Sequence, residues 1–401
     1  MVEDRSLLTP ELVADPHPYF RRLREEDPVH WNDHHRAWLL MRYDDVARGF
    51  RDPRLSSERV TSLLPQEFAA ADADAFDPIL RLLANWMVFR DPPAHARLRR
   101  LARAAFAPRI VEALRPTIES VLEDLAAKLE RAGGGDLVRD LAYPLPAIVI
   151  ARLLGVPEGD VEAFKGWSAD IQPIVFGAAG TAERRRRAER GLLALERYFR
   201  ALLDRYRREA AENLLSALAR AEAEGEMLSS DEIIATAILL LFAGHETTTN
   251  LIASGMLTLE MHPEEKRRLA ATPELAATAV EEFLRWEGPS KIQVRLATED
   301  LEIHGRKVKS GQRVFLVQAA AHRDPEQFAD PDRVDVAREP NDHLGFGYGI
   351  HHCLGAPLAR LEGRIVFASL LARLPRLRVE GDPCWAATVL GRGLVRLPVS
   401  A

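Results

Sequence analysis

From Ser229 to His262 the chain reads as one uninterrupted helix, and few folds can house one that long. Ser229-Ser230-Asp231-Glu232 has the spacing of a capping box at its start, and Pro263 stops it. Roughly 30 residues make about 45 Å at the α-helical rise. Its first half is almost wholly apolar, so it must cross the core. The apolar run Ile233–Gly244 is only twelve residues long, too short to span a bilayer, and His245 and Glu246 follow at once. A fold built on such a helix is mainly α.

The flanking sequence agrees. Residues 108–132 have apolar positions at steps of three and four from Ile110 to Leu129, with Gly133 as the stop, and read as one amphipathic helix. Residues 181–224 read as a further helical stretch, and helices are expected at 274–287 and 356–373. Residues 54–92 look irregular, and a helix is expected to open at Pro92 or Pro93. Residues 36–43 read as a strand, and at 296–319 the period changes to two, where turns at Gly305 and Ser310-Gly311 predict a small antiparallel sheet. The expectation is an α+β chain, mainly helical with a small β portion. No repeat or linker divides it, so residues 1–401 read as a single domain.

Composition removes several functions. A net charge of −6 argues against diffuse electrostatic binding of nucleic acid. The acidic start, with no apolar h-region, is not a signal peptide, so a cytoplasmic protein without a membrane anchor is expected. Only two cysteines are present, Cys353 and Cys384, which excludes a disulfide framework and cysteine-based zinc or iron–sulfur sites.

Cys353 lies in Phe346–Gly355, FGYGIHHCLG, just ahead of a helix. A glycine-rich loop lets backbone N–H groups approach a sulfur, and a helix N-terminus adds positive potential. Both favour a thiolate. A free cysteine is ordinarily an inert small hydrophobe; the glycine spacing and the neighbouring histidine set this one apart. Cys384 has no such setting and reads as structural.

The loop resembles the haem-binding signature of the cytochrome P-450 (P450) family, F-G-x-G-x-H-x-C-x-G. All six fixed positions match: Phe346, Gly347, Gly349, His351, Cys353 and Gly355. The resemblance implies a P450 fold with the long helix crossing over haem b. Cys353 would be the axial thiolate ligand of the iron, pushing electron density that favours O–O cleavage. Phe346 would shield the sulfur, and His351 would bond a haem propionate.

In the long helix, ATAILLLFAG turns abruptly into HETTTN. Gly244 weakens a helix interior by about 1 kcal/mol relative to Ala, and threonine hydroxyls can bond back and bend it. Read alone, this is equally the place where an apolar face gives way to a solvated one. With the resemblance, Ala243-Gly244-His245-Glu246-Thr247 is similar to the oxygen-binding motif A-G-x-[DE]-T. It implies Ala243 over the haem, Thr247 bonding the oxygen being activated, and Glu246 passing protons inward.

Glu282 and Arg285, three apart on a helix, would by themselves be an ordinary surface pair. They resemble the family's E-x-x-R pair, whose partner arginine would be Arg333 in FADPDRVD, although Val334 stands where an aromatic is usual. By the same resemblance His95, Arg99 and Arg295 would bind the haem carboxylates. Substrate-pocket candidates come from 60–90, 168–180, the long helix, the stretch before Arg295 and the C-terminal strands. They are Trp86, Met87, Ile171, Leu239, Phe242, Lys291, Gln293 and Leu394, mostly apolar, implying a mainly apolar ligand. Strand alternation would put 291, 293 and 295 on one face. Lys291 either points inward to a substrate carboxylate or is a surface lysine.

The resemblance implies a monomeric haem-thiolate monooxygenase that places one atom of O2 in a small organic substrate, by hydroxylation or epoxidation. Electrons would come from NAD(P)H through a separate ferredoxin and ferredoxin reductase, since the chain has no room for a fused reductase. Arg97, Arg100 and Arg103, with Arg360 and Arg364, would form a basic patch for an acidic ferredoxin. Two competing readings are a peroxide-driven peroxygenase and a non-catalytic haem- or ligand-binding protein. The Glu246–Thr247 pair speaks against both.

Overall fold

The computed structural model describes residues 2–60, 73–103, 106–175, 182–223 and 229–401. The chain forms two compact units. One comprises the residues up to Leu55, Glu112–Pro146 and Glu246–Ala401; the other comprises Ser56–Val111 and Ala147–His245. The division falls within the long helix, Ser230–Met261. That helix begins as its capping box requires. Ser229 Oγ accepts from Glu232 N–H at 3.2 Å, and Glu232 Oε2 accepts from Ser229 N–H at 2.9 Å.

In the first unit the second half of the long helix is packed by Ala276–Glu287 and Ala356–Arg373. Phe283 and Phe367 meet with ring centroids 4.7 Å apart. They close over Gly255, where a Cβ would run into both rings. This is a third use of glycine in a helix besides caps and kinks: it lets aromatic side chains reach the backbone.

The β portion departs from the expected single antiparallel sheet. Leu301–Ile303 and Arg306–Val308 form a separate hairpin turning at His304 and Gly305. Arg313–Leu316 joins a mixed sheet instead, pairing parallel with Ala37–Leu40 and antiparallel with Gln293–Ala297. Val29–Asn32 and Leu55–Ser56 are its edges. Its buried face holds Val29, Leu40, Val314 and Leu316 against Val46 and Phe50. The period-2 pattern shows which residues alternate; it carries no record of a partner almost three hundred residues away in sequence.

The expected helix over 108–132 is broken into Pro108–Glu112 and Arg115–Arg131. Pro116 lacks an amide hydrogen and sits at the start of the second piece, where that loss is harmless. Ile118, Leu122, Leu125 and Leu129 are buried, whereas Ile110 is left exposed.

In the second unit, Ala73–Ala84 is helical and Met87–Phe89 forms a 3-10 turn, so the described part of 54–92 is more regular than its sequence suggests. The stretch 181–224 divides into Ala182–Arg208 and Leu214–Ala223, with Asn213 Oδ1 capping the latter through Ser216 N–H at 2.8 Å. Phe164, Trp167, Tyr198 and Phe199 form an edge-to-face cluster between Val161–Val175 and Ala182–Arg208. No helix among the described residues is long and apolar enough to cross a membrane.

Candidate functional site

The first unit presents the cysteine loop. Gly347 and Gly349 take φ values of +69° and +70°, open to glycine at no steric penalty. These turns wind the loop so that Cys353 N–H donates to Phe346 O at 2.8 Å and Gly347 N–H to Leu344 O at 2.8 Å. A Cβ at Gly349 would lie 3.1 Å from Phe50 O, so the loop also lies close against the chain at Phe50–Arg51. The result is a thiol exposed at Cys353, three residues ahead of the helix Ala356–Arg373.

Charge is arranged behind this loop. The Arg360 guanidinium lies 4.6 Å from the Phe346 ring centroid and donates to Glu281 at 2.8 and 2.7 Å. His343 Nε2 is 3.0 Å from the same carboxylate. Burial pushes the Glu281 carboxyl up, but the bonds from Arg360 and His343 outweigh it and hold the group at about 2. Sequence reasoning placed Arg360 only in a basic patch. Its spacing of seven residues from Cys353, on the helix that follows the thiol, was the available signal for a supporting role.

The residues fit a haem-thiolate centre. Among the described residues no group of three or more His, Cys, Asp or Glu could hold a metal ion by itself. What the loop offers is one accessible soft donor on a backbone wound by left-handed glycines, with positive potential from the helix behind. A planar ligand supplying the other donors to its own iron meets that chemistry.

Nearby in the same unit, Arg295 is buried in the strand Gln293–Ala297. It donates to Val294 O at 3.0 Å and lies 5.5 Å from the Phe50 ring centroid. Lys291 is buried rather than at the surface, which settles one of its two readings. Gln293 is half-buried and donates to Ser290 Oγ at 2.9 Å, and Leu394 is buried. His351 and Phe346 are half-buried, and Gly355 caps the helix. Cys384 is exposed on the ribbon that pairs Cys384–Trp385 with Leu394–Arg396, so it is no core residue.

The Glu282–Arg285 pair is fully buried, with contacts of 2.7 and 2.8 Å. The third arginine needs correction. Arg338 Nε reaches both Glu282 oxygens at 3.2 and 3.1 Å, whereas the Arg333 side chain is exposed. Arg333 takes part through its carbonyl, which accepts from Arg285 at 3.1 Å and Arg338 at 3.0 Å. The sequence spacing located the right segment and the wrong guanidinium.

On the long helix the residues from Ile233 to Phe242 are nearly all buried. Exposure then opens at Ala243 and partly at Gly244 and Thr247, while Glu246 stays buried. Ala243 and Thr247 are one turn apart, so one helix face becomes accessible where the sequence turns polar. His245 Nδ1 is 2.6 Å from Leu241 O.

The second unit holds the remaining candidates. Gly244 lets Ile150 approach so closely that a Cβ there would lie 2.7 Å from its Cγ1. Trp86 is fully buried, stacked on Phe89 at 5.9 Å and tilted against Phe242 at 6.1 Å. Met87, Ile171 and Leu239 are also buried. His95 is buried and Arg99 half-buried, one turn apart on Ala94–Arg103. Burial and the Arg99 cation push the His95 imidazole down, so it favours the neutral form. Of the basic residues, Arg97 is paired with Glu232 and Arg360 with Glu281, while Arg100, Arg103 and Arg364 are exposed. The parts of 60–90 and 168–180 that fall at 61–72 and 176–180 lie outside the described residues.

The family model "Cytochrome P450" matches residues 186–272 and 273–383. Cytochrome P450 monooxygenase PikC of Streptomyces venezuelae is 40% identical, over 99% of this chain and 94% of its own. Vitamin D(3) 25-hydroxylase of Pseudonocardia autotrophica is 39% identical, over 99% of this chain and 96% of its own. The crystal structure of the myxobacterial cytochrome P450 CYP267B1 in complex with myristic acid is similar with a TM-score of 0.90 and 39% identity, covering 98% of both chains. An exposed thiol on a glycine-wound loop and full-length likeness to these enzymes lead to one family: the chain has the cytochrome P450 fold and is a cytochrome P450 monooxygenase.

Proposed function

We propose that the whole chain serves as one haem domain whose cofactor is haem b, with Cys353 as the iron's thiolate ligand. The observation that carries this is the exposed Cys353 thiol, held by left-handed glycines ahead of a helix N-terminus. Bound there, haem would supply the redox chemistry that activates dioxygen and oxidises the substrate. The protein's residues hold, orient and protonate. Phe346 and Gly347 shape the loop under the sulfur. His95, Arg99, Arg295 and His351 are the partners for the haem carboxylates, and Arg295 suits this because the planar fork of N–H donors on a guanidinium matches a carboxylate.

Glu246 and Thr247 move protons. The buried Glu246 carboxylate would take a proton from water and carry it, and the Thr247 hydroxyl on the accessible helix face would relay it, donating its own hydrogen as its oxygen accepts the next. Ala243, one turn earlier, keeps that face small. Glu282 and Arg285, with Arg338 and the Arg333 carbonyl, brace the segment that leads into the thiolate loop.

Substrate contacts are assigned to Trp86, Met87, Ile171, Leu239 and Phe242, and separately to Lys291, Gln293 and Leu394. The predominance of buried apolar side chains favours a mainly apolar small molecule, hydroxylated or epoxidised with one atom of O2. Electrons would come from NAD(P)H through a ferredoxin and its reductase, to which the exposed arginines offer an electrostatic landing site. The protein would act as a cytoplasmic monomer. The test is the spectrum of the dithionite-reduced protein with CO: the red-shifted Soret band of a thiolate-ligated haem is expected, and Cys353→Ser should abolish it. Absence of the band in the native protein, or its survival in the variant, overturns the assignment.

A further inference from the structure

We infer that the Lys291 ammonium is the binding site for the carboxylate of an otherwise apolar aliphatic acid, and so sets the class of substrate the enzyme accepts. The inference deepens the P450 reading and rests on it for placing residues 291–293 among the substrate contacts.

Lys291 is only 3% exposed, an unusual place for a lysine. Its backbone is fixed on both sides: its N–H donates to Leu390 O at 2.9 Å, and its carbonyl accepts from Ala319 N–H at 3.2 Å. Its Nζ donates to Thr388 O at 3.1 Å. Thr388 is itself locked in a turn, its hydroxyl donating to Gly391 O at 3.0 Å. An ammonium has three N–H donors, and one neutral carbonyl engages one of them.

The neighbouring charges do not complete the site. Among the described residues no carboxylate lies within ion-pair distance of Lys291 Nζ. Glu287 attracts it from farther off, but that carboxylate is taken by Arg392 and by His17 at 2.7 Å. Arg392 repels it, and His35 is in turn disfavoured as a cation by Lys291. Arg392 already has its counter-ion: it donates to Glu287, to Val13 O at 2.6 Å and to Ala14 O at 2.9 Å, and lies 3.8 Å from the Trp385 ring centroid. Of these two cations, Arg392 is paired with a carboxylate, and Lys291, among the described residues, is not.

Burying a cation without a counter-ion is strongly unfavourable. Burial and the Arg392 cation depress the Lys291 ammonium to about 8, so it still carries its proton at neutral pH. A ligand monoanion with two acceptor oxygens would satisfy both the charge and the spare donors. Phosphate recognition calls for several donors converging from backbone and side chains, and a single ammonium does not provide them. The carboxylate is thus the better match, and the mainly apolar character of the candidate substrate contacts suits an aliphatic body.

The haem-loaded protein is titrated with dodecanoate and myristate, and with dodecanol and tetradecanol, following the haem spin-state shift. A charge-assisted bond in a buried site should make at least one acid bind about 10-fold tighter than the alcohol of equal chain length. Lys291→Met should remove that preference by weakening the acid alone, and Lys291→Arg should retain it. Three results overturn the inference: no acid preference in the native protein, a preference that survives Lys291→Met, or equal weakening of acid and alcohol, which would make Lys291 a strut for the Thr388 turn. If Lys291→Met lacks the CO-reduced haem-thiolate band, Lys291→Gln is judged by the same criteria. A normal CO band with no acid preference defeats the Lys291 assignment alone; a missing CO band in the native protein defeats the P450 centre.

Discussion

Glu282→Gln offers the sharpest test of how the cysteine loop is supported. The Glu282 carboxylate accepts from Arg285 Nε and Nη2 at 2.7 and 2.8 Å, from Arg338 Nε at 3.2 and 3.1 Å, from Asn341 Nδ2 at 3.1 Å and from Asp335 N–H at 2.9 Å. Arg285 extends the web to His322 O at 2.9 Å and Pro331 O at 2.8 Å. The helix Ala276–Glu287 is thereby tied to the 322–341 segment, which runs directly into the loop that carries Cys353. Glutamine keeps the volume but removes the charge, and it turns an amide donor towards guanidinium donors. Two arginines then lose their counter-ion, and removing one partner of a buried pair costs about 3–5 kcal/mol. That is a large part of a typical stability of about 5–15 kcal/mol. Urea unfolding of the haem-loaded protein reads it as a shift in midpoint at unchanged slope. The internal control is Arg333→Ala, which keeps the carbonyl and removes only an exposed side chain, and should stay within about 0.5 kcal/mol. Arg338→Met should fall between the two, near the 1.5–3 kcal/mol, roughly, of a hydrogen bond to a charged group. A loss below about 1 kcal/mol for Glu282→Gln, or a larger loss for Arg333→Ala than for Arg338→Met, refutes this account of the cluster.

Gly244→Ala sets two effects against each other: helix propensity favours alanine by about 1 kcal/mol, while a Cβ 2.7 Å from Ile150 Cγ1 overpacks the site at about 1–3 kcal/mol. A net loss of stability is expected, reversed in an Ile150→Ala background; a gain in the native background would show that Ile150 yields freely. Glu287, pushed up by burial but held down by Arg392 and His17, has its carboxyl lowered from 4.5 to about 2. Its ionised form stabilises the fold above pH 4.5, and about 3 kcal/mol is lost as pH falls towards 2. Glu287→Gln should flatten that part of the stability–pH curve, and an unchanged acid limb would contradict the assignment. Thr247→Ala should leave NADPH consumption running while product per NADPH falls several-fold; unchanged coupling would remove the proton-delivery role of Glu246 and Thr247.

What the sequence made legible follows from how locally each feature is encoded. The long helix needs only Ser229 and Glu232 to start it and Pro263 to end it, and all three lie within a turn of the ends they control. The cysteine loop is equally local: Gly347, Gly349 and Cys353 are read off one decapeptide, and the backbone turns of the loop depend on little else. Features that failed are those decided at a distance. Arg333 and Arg338 are both arginines on one irregular segment, and which guanidinium reaches Glu282 depends on how that segment folds back on the helix. Arg313–Leu316 alternates like its neighbours, yet its partner is Ala37–Leu40. Lys291 could not be placed inside or outside because lysine is a surface residue by composition and a buried one only by context, here the Thr388 turn. The same division separates the chemistry from its selectivity. The residues proposed for iron ligation and proton delivery sit in short motifs, whereas the role inferred for Lys291 comes from what the fold brings beside it. By the Lys291 inference, selectivity in such a chain is to be sought first at buried polar groups left incompletely bonded, since each calls for an explanation that the local sequence does not give.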